Sequence, residues 1–164
     1  IRDFCLSRGL GDVYKRQIYM KQKTRDLLFE LTVKEGDPDR ISNITGTLSG
    51  IAGSFDLSSQ RICGEAMNTS FPFARTNDKI TAHTRLLGTT GLKQSLRIDL
   101  TFTDGSSQTI ENDLTDLLKN FNDDMPTPMY ITGDLLTPIE ADMTATIVGW
   151  ENGNEENGEN IEIY

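Results

Sequence analysis

The chain predicts a mainly β protein, an antiparallel β-sandwich with one short helix. Three observations carry this. About eight segments of the 164 residues alternate apolar and polar side chains with a period of two, the mark of a strand with one buried face. Clusters of Gly, Pro, Asp and Asn punctuate them, as in all-β domains. One segment, Leu114, Leu117, Leu118 and Phe121, has the i, i+3, i+4, i+7 spacing of an apolar helical face.

The first 17 residues stand apart. Cys5 to Gln17, CLSRGLGDVYKRQ, resembles a translated sequencing-adapter read-through of the kind found at the ends of metagenomic gene sequences. Residues 1–17 are therefore expected to be artefactual or disordered and are left out of the fold. They lack the sustained apolar run of a signal peptide. Residues 18–164 are expected to form a single β-sandwich domain, the C-terminal part of a longer protein.

Composition excludes some partners. The formal net charge is −9, and −11 once the four basic and two acidic side chains of residues 1–17 are set aside. Such a surface repels phosphate backbones and anionic lipid, so no nucleic acid is expected as a partner. No stretch approaches the ~18 apolar residues of a membrane span, so no direct membrane insertion is expected.

Leu27, Phe29, Leu31 and Val33 alternate with Leu28, Glu30, Thr32 and Lys34 as a strand, ended by Gly36-Asp37-Pro38-Asp39. Ile41 to Ala52 is the next strand, with Gly46 and Gly50 marking a bulge or a close approach. Gly53 to Thr69 reads as an irregular polar connection, with at most one short strand at Ser54 to Leu57. Phe71 and Phe73 share a face of a short strand that Pro72 confines to an edge or an end. Lys79 to Leu87 is a firmer strand, and Gly88 to Gly91 reads as a hairpin loop after it.

Leu96, Ile98, Leu100 and Phe102 then alternate with Arg97, Asp99, Thr101 and Thr103. Asp104-Gly105 supplies a tight turn into a returning strand at Gln108 to Glu111. Asn112 or Asp113 is the expected N-cap of the helix, which Pro126 and Pro128 stop from continuing. Met129 to Gly133 and Leu135 to Leu136 make either a short strand pair or one bent strand. Met143 to Trp150 is a strand, with Trp150 placed to cap the core or cover a helix. Glu151 to Asn160 reads as a polar, acidic hairpin loop, and Ile161 to Ile163 as a last strand.

No catalytic constellation, cofactor or metal site emerges. Cys63 is expected to be a small core or half-buried residue rather than a nucleophile. His83, the single histidine, is expected to be solvated or to pair across strands rather than to act as base or ligand. Asp37 and Asp39 fit an Asx turn better than a calcium site. The glutamates of 151–160 lack an ordered ligand spacing. Carboxylate pairs such as Asp123-Asp124 could in principle do acid–base work, and Asp123 and Asp124 are expected to be solvated.

The order of motifs from about Arg25 to Tyr164 resembles the C-terminal half of the Bacteroidetes fimbrillin and fimbrial-anchor-like surface lipoproteins, including a related domain of unknown function. The carrying residues are ITGTLSGIAGSFDLSS at Ile44 to Ser59, KITAHTRLLG at Lys79 to Gly88, LRIDLTFTDGSSQTIENDLTD at Leu96 to Asp116, and the ending IVGWENGN with IEI, within Ile147 to Ile163. Leu87-Gly88 stands where Phe-Gly is common, and Leu114-Thr115 where Val-Thr is usual. The resemblance implies transthyretin-like sandwich domains of Greek-key type. It also implies display at the outer membrane through a lipid anchor in the missing N-terminal part. The partners implied are other fimbrial subunits or surface proteins, joined by strand complementation. A sandwich lacking a strand leaves unpaired backbone groups and an apolar groove, and a partner's strand satisfies both. The alternative is a carbohydrate- or ligand-binding module on the same fold. Exposed aromatics on one sheet would mark it, and Tyr130, Trp150, Tyr164 and some phenylalanines are the candidates.

Overall fold

The computed structural model describes residues 21–138 and 144–153. Two sheets face each other. The five-stranded sheet is organised on β1, Arg25–Glu35, whose Leu27, Phe29 and Leu31 are fully buried on the inner face. Beside β1 lies β5, Lys79–Leu86, and outside that the three-residue β4, Ala74–Thr76. On the other side of β1 lie β8, Met129–Leu136, and β9, Thr146–Gly153. The four-stranded sheet has the order β3, Arg61–Pro72; β2, Ile41–Asp56; β6, Ser95–Phe102; β7, Ser107–Asp113.

Among the described residues all strand pairings but one are antiparallel. β1 and β8 run parallel, from Leu27 opposite Met129 to Glu35 opposite Leu136. Strand alternation reports which residues are buried and carries no information on strand direction, so this pair was not legible in the pattern. β8 is one strand rather than two, and its register against β9 slips between Thr132 and Asp134.

The core is the inner faces of the two sheets closed at one end by the helix. Leu96, Ile98, Leu100 and Phe102 of β6 meet Leu27, Phe29 and Leu31 of β1 in one buried cluster. The helix α1 is a single turn, Thr115–Leu118. Leu114, Leu118 and Phe121 are fully buried, while Leu117 packs against the cluster from its margin. The Asp113 carboxylate accepts from the backbone N of Thr115 at 3.0 Å, although Leu114 is the residue that immediately precedes the turn. Within the core the Phe29 and Phe71 rings stack at 5.5 Å, and Phe73 tilts against both. Gly46 is the close approach expected in β2: a Cβ there would lie 2.7 Å from the Phe73 ring and 2.8 Å from that of Phe71.

Three segments differ from the sequence expectation. Gly53 to Thr69 is a continuous β-hairpin, the outer half of β2 and most of β3. Its side chains are largely exposed, so it has no apolar alternation to read. Gly88 to Gly91 closes no hairpin; it lies on the crossing from β5 in one sheet to β6 in the other. Glu151 to Gly153, read as the start of the acidic loop, completes β9. The rest of that loop, the Ile161–Ile163 strand, Met143, Tyr164 and residues 1–17 lie outside the described residues.

Candidate interaction surface

The long β2 has two halves with different neighbours. From Ile41 to Leu48 it pairs with β6. Gly50 then takes a left-handed φ of +73° at a slip in the β2–β3 register, which is the bulge expected at this glycine. Beyond it the strand leaves β6 and is fastened to the crossing segment. Ile51 bridges Thr89, the Ala52 N–H donates to the Gly88 carbonyl at 2.9 Å, and the Thr90 N–H donates to the Gly50 carbonyl at 2.8 Å. The outer half of β2 and its partner β3 therefore form an arm held at its root.

The arm turns at Asp56. Its carboxylate accepts from Ser58 N at 2.8 Å, Ser58 Oγ at 2.9 Å and Ser59 Oγ at 2.7 Å. These bonds, that of Ser59 foremost, hold the Asp56 carboxyl down at about 2. β3 is the edge of its sheet, and among the described residues no strand pairs with its outer side. Leu57 at the tip is 72% exposed and Met67 is 56% exposed. An edge of this kind presents a row of backbone donors and acceptors with apolar side chains among them, the surface that strand addition uses.

A pocket of about 280 Å³ opens where the outer end of the arm, beside its turn, lies against the sandwich. The arm contributes Phe55, Gln60, Arg61 and Ile62, and the segment leading into β1 contributes Gln22 and Lys23. Leu87, Asn122 and Met125 complete it. Gly88 lies between two of these walls, since a Cβ there would be 2.4 Å from Ile62 Cδ1 and 2.7 Å from Asn122 Oδ1. Asn122 is fixed in turn by Thr89, accepting from its N–H at 2.8 Å and donating to its carbonyl at 2.9 Å. Arg25, 7% exposed, anchors the loop after α1. It donates to the carbonyls of Asn120, Phe121 and Thr127 at 3.1, 2.7 and 2.6 Å.

The residues singled out from sequence fall at separate places. His83 pairs across strands as expected, its Nε2 2.9 Å from Asp26 Oδ1. Arg85 takes the same carboxylate at 2.8 and 3.2 Å. The Arg85 hydrogen bond lowers the Asp26 pKa, burial opposes it and the His83 bond adds to it. Among the described residues no Ser, Thr or Cys is hydrogen-bonded to His83. The group therefore reads as a clamp between β1 and β5. Cys63 is exposed on the arm rather than half-buried, with its sulfur 3.4 Å from Ser54 Oγ. Asp37 makes the expected Asx turn, accepting from Asp39 N at 2.9 Å. Asp123 and Asp124 are exposed. Among the described residues no three His, Cys, Asp or Glu side chains cluster as metal ligands would.

The aromatic candidates do not gather on one sheet face: Tyr130 is half-buried on β8, opposite Leu28 of β1. Phe29, Phe71, Phe73, Phe102 and Phe121 are core residues, and Trp150 packs against the core. Phe55 is left half-buried in the pocket. Phe55, Arg61 and Lys23 carry no motif of their own, and the Asp56-Leu57-Ser58 turn signal beside Phe55 is the mark of this region in the sequence.

The fold is shared with two solved structures. One is a candidate adhesin from Bacteroides ovatus, with a TM-score of 0.53 at 13% identity over 76% of this chain and 48% of that one. The other is the fimbrial anchor protein Mfa2 from Porphyromonas gingivalis, with a TM-score of 0.53 at 15% identity over 79% of this chain and 46% of that one. The chain thus spans about half the length of the proteins it resembles. At such identities the likeness is one of fold. No family model and no curated protein matches the sequence. Among the described residues no helix is long and apolar enough to cross a membrane.

Proposed function

We propose that this chain is a non-catalytic module of a cell-surface protein, a fimbrial subunit or anchor that holds other fimbrial subunits or surface proteins. The observation that carries this reading is the fold shared with an adhesin candidate and a fimbrial anchor. The free edge of β3, with backbone groups and apolar side chains on offer, supports strand complementation as the way partners are held. In this reading residues 18–164 are one domain of a longer lipoprotein, whose lipid anchor at the outer membrane lies in the part before them. The test is recovery of the complete gene and expression of its tagged product in a Bacteroidetes host. The expected result is an encoded lipoprotein signal and a tag removed by protease added to intact cells. A product without such a signal, protected until the cells are lysed, overturns the proposal.

A second reading, a carbohydrate- or ligand-binding module, is favoured by one observation: the pocket beside the turn of the arm, lined by Phe55, Gln22 and Gln60. Binding of any sugar at these residues, mapped by amide shifts, supports it; shifts scattered over the surface or absent overturn it.

A further inference from the structure

The pocket's lining has a charge that the rest of the chain does not prepare. The protein carries 25 acidic and 16 basic residues, yet Lys23 and Arg61 are the charged residues of this pocket and no carboxylate lines it. Several of the described carboxylates are engaged elsewhere. Asp26 is taken by Arg85 and His83, Asp99 by Thr109 and Arg97, and Asp56 by Ser58 and Ser59. Arg61 makes no ion pair or hydrogen bond from its side chain among the described residues, and Lys23 makes no ion pair. Lys23 instead lies over the Phe55 ring at 5.2 Å, which fixes its ammonium at the pocket.

We propose that this pocket binds a carboxylate-bearing sugar unit, with Lys23 and Arg61 on the carboxylate and Phe55, Gln22 and Gln60 around the ring. The inference rests on the second reading above and narrows it to one ligand class. Each part has a physical reason. A planar guanidinium matches a carboxylate with two parallel donors, and its hydrogen bonds to a charged partner are stronger than neutral ones. A sugar ring offers a face of C–H groups to pack on Phe55, Ile62 and Leu87, and a rim of hydroxyls for the oxygens and second N–H groups of the glutamine amides, whose nitrogens already donate to the Thr24 and Leu57 carbonyls. The volume of about 280 Å³ falls just below the range for drug-sized ligands, which suits a single ring. The walls are held by Gly88, by the Asn122–Thr89 pair and, through the following loop, by Arg25. The Asn122 wall is thus formed before a ligand arrives, so less ordering is needed there on binding.

The test is a titration of the ¹⁵N-labelled chain with sodium glucuronate, with glucose and sodium acetate in parallel. Glucuronate is expected to give saturable shifts at the amides of Phe55, Arg61 and Ile62 and at the Asn122 side chain. Glucose and acetate are expected to bind at least roughly tenfold more weakly, each lacking one half of the recognised group. Lys23→Ala with Arg61→Ala is expected to weaken glucuronate by roughly tenfold or more with an otherwise unchanged spectrum. Glucose shifting the same amides as strongly as glucuronate overturns the anionic ligand while leaving a sugar-binding module standing. No saturable shift with either sugar overturns both, and acetate matching glucuronate overturns the sugar. Glucuronate binding that the double variant leaves intact overturns the roles of the two cations. If the proposal holds, an oligosaccharide ending in glucuronate that shifts the same amides identifies a glycan terminus as the source, and a response to the free sugar alone identifies the soluble acid.

Discussion

The β6–β7 hairpin and the β2–β3 arm are built from the same parts and differ in what they face. Each has two antiparallel strands joined by an Asp-x-Ser turn, Asp104 to Ser106 in one and Asp56 to Ser58 in the other. β6 turns Leu96, Ile98, Leu100 and Phe102 into the core. β3 exposes nearly all its residues until Phe71. The first hairpin is held by burial of an apolar face. The second is held by its backbone ladder, its capped turn and the fastening of Ile51 and Ala52 to the crossing segment. A backbone ladder needs no side-chain pattern, so one hairpin is written in the sequence as alternation and the other is not. The division also separates roles: the buried hairpin gives the fold its stability, and the exposed arm gives it an edge and a pocket.

The largest expected effect breaks the buried side of this comparison. Phe102→Asp removes a core ring, at a cost of about 3–5 kcal/mol for the cavity, and leaves an unpaired carboxylate inside. Together these consume most of a stability of about 5–15 kcal/mol. The variant is expected to lack the cooperative thermal transition of the parent, as read by circular dichroism. Leu117→Asp, at the margin of the same cluster, is expected to fold with a lowered Tm. A parent-like melt for Phe102→Asp would show that this hairpin is not the organising element.

An intermediate effect is expected where the two regions meet. Arg25 holds the loop between α1 and β8 by three backbone carbonyls and lies 5.4 Å from the Phe121 ring centre. Arg25→Ala leaves those acceptors without their buried donor, at about 2–4 kcal/mol. A Tm lower by roughly 5–15 °C is expected. Because Asn122 and Met125 belong to that loop, their resonances should shift while those of Ser58 at the arm tip stay in place.

How much was legible follows from the same physics. β1, β5, β6 and the apolar residues around α1 each bury one periodic face, and each could be read from residue spacing. Gly46 and Gly50 were legible as anomalies, and the structure gives each its reason: ring contact at one and a bulge at the other. The parallel β1–β8 pair was hidden because alternation is blind to direction. The pocket was hidden because its walls come from four separate stretches, around residues 22, 60, 87 and 122. The arm had one visible signal. FDLSS at Phe55 to Ser59 repeats the Asp-x-Ser-Ser spacing of FTDGSS at Phe102 to Ser107, where the turn was recognised.

The smallest expected effect tests whether the arm opens on its own. The Asp56 carboxyl is lowered from 3.8 to about 2 by the Ser59 and Ser58 bonds. A depressed folded pKa means that the charged form is the one the turn holds. The contribution is therefore fully present above the ordinary carboxylate range and is lost as pH falls from about 4 through about 2. Asp104 and Asp113 are lowered for the same reason by Ser106 and Thr115, but their turns are tied to strands with a buried face. Acid should consequently loosen the arm before the hairpin. Amide exchange at Ser58 and Ser59 is expected to accelerate below pH 4 ahead of exchange at Ile98 and Leu100, once the intrinsic pH dependence is divided out. Asp56→Asn keeps one acceptor oxygen but not the charge. It should reproduce the faster exchange at neutral pH, with a Tm close to that of the parent. Equal acceleration in both hairpins would mean that the arm and the core open as one unit and that the distinction between them is structural only.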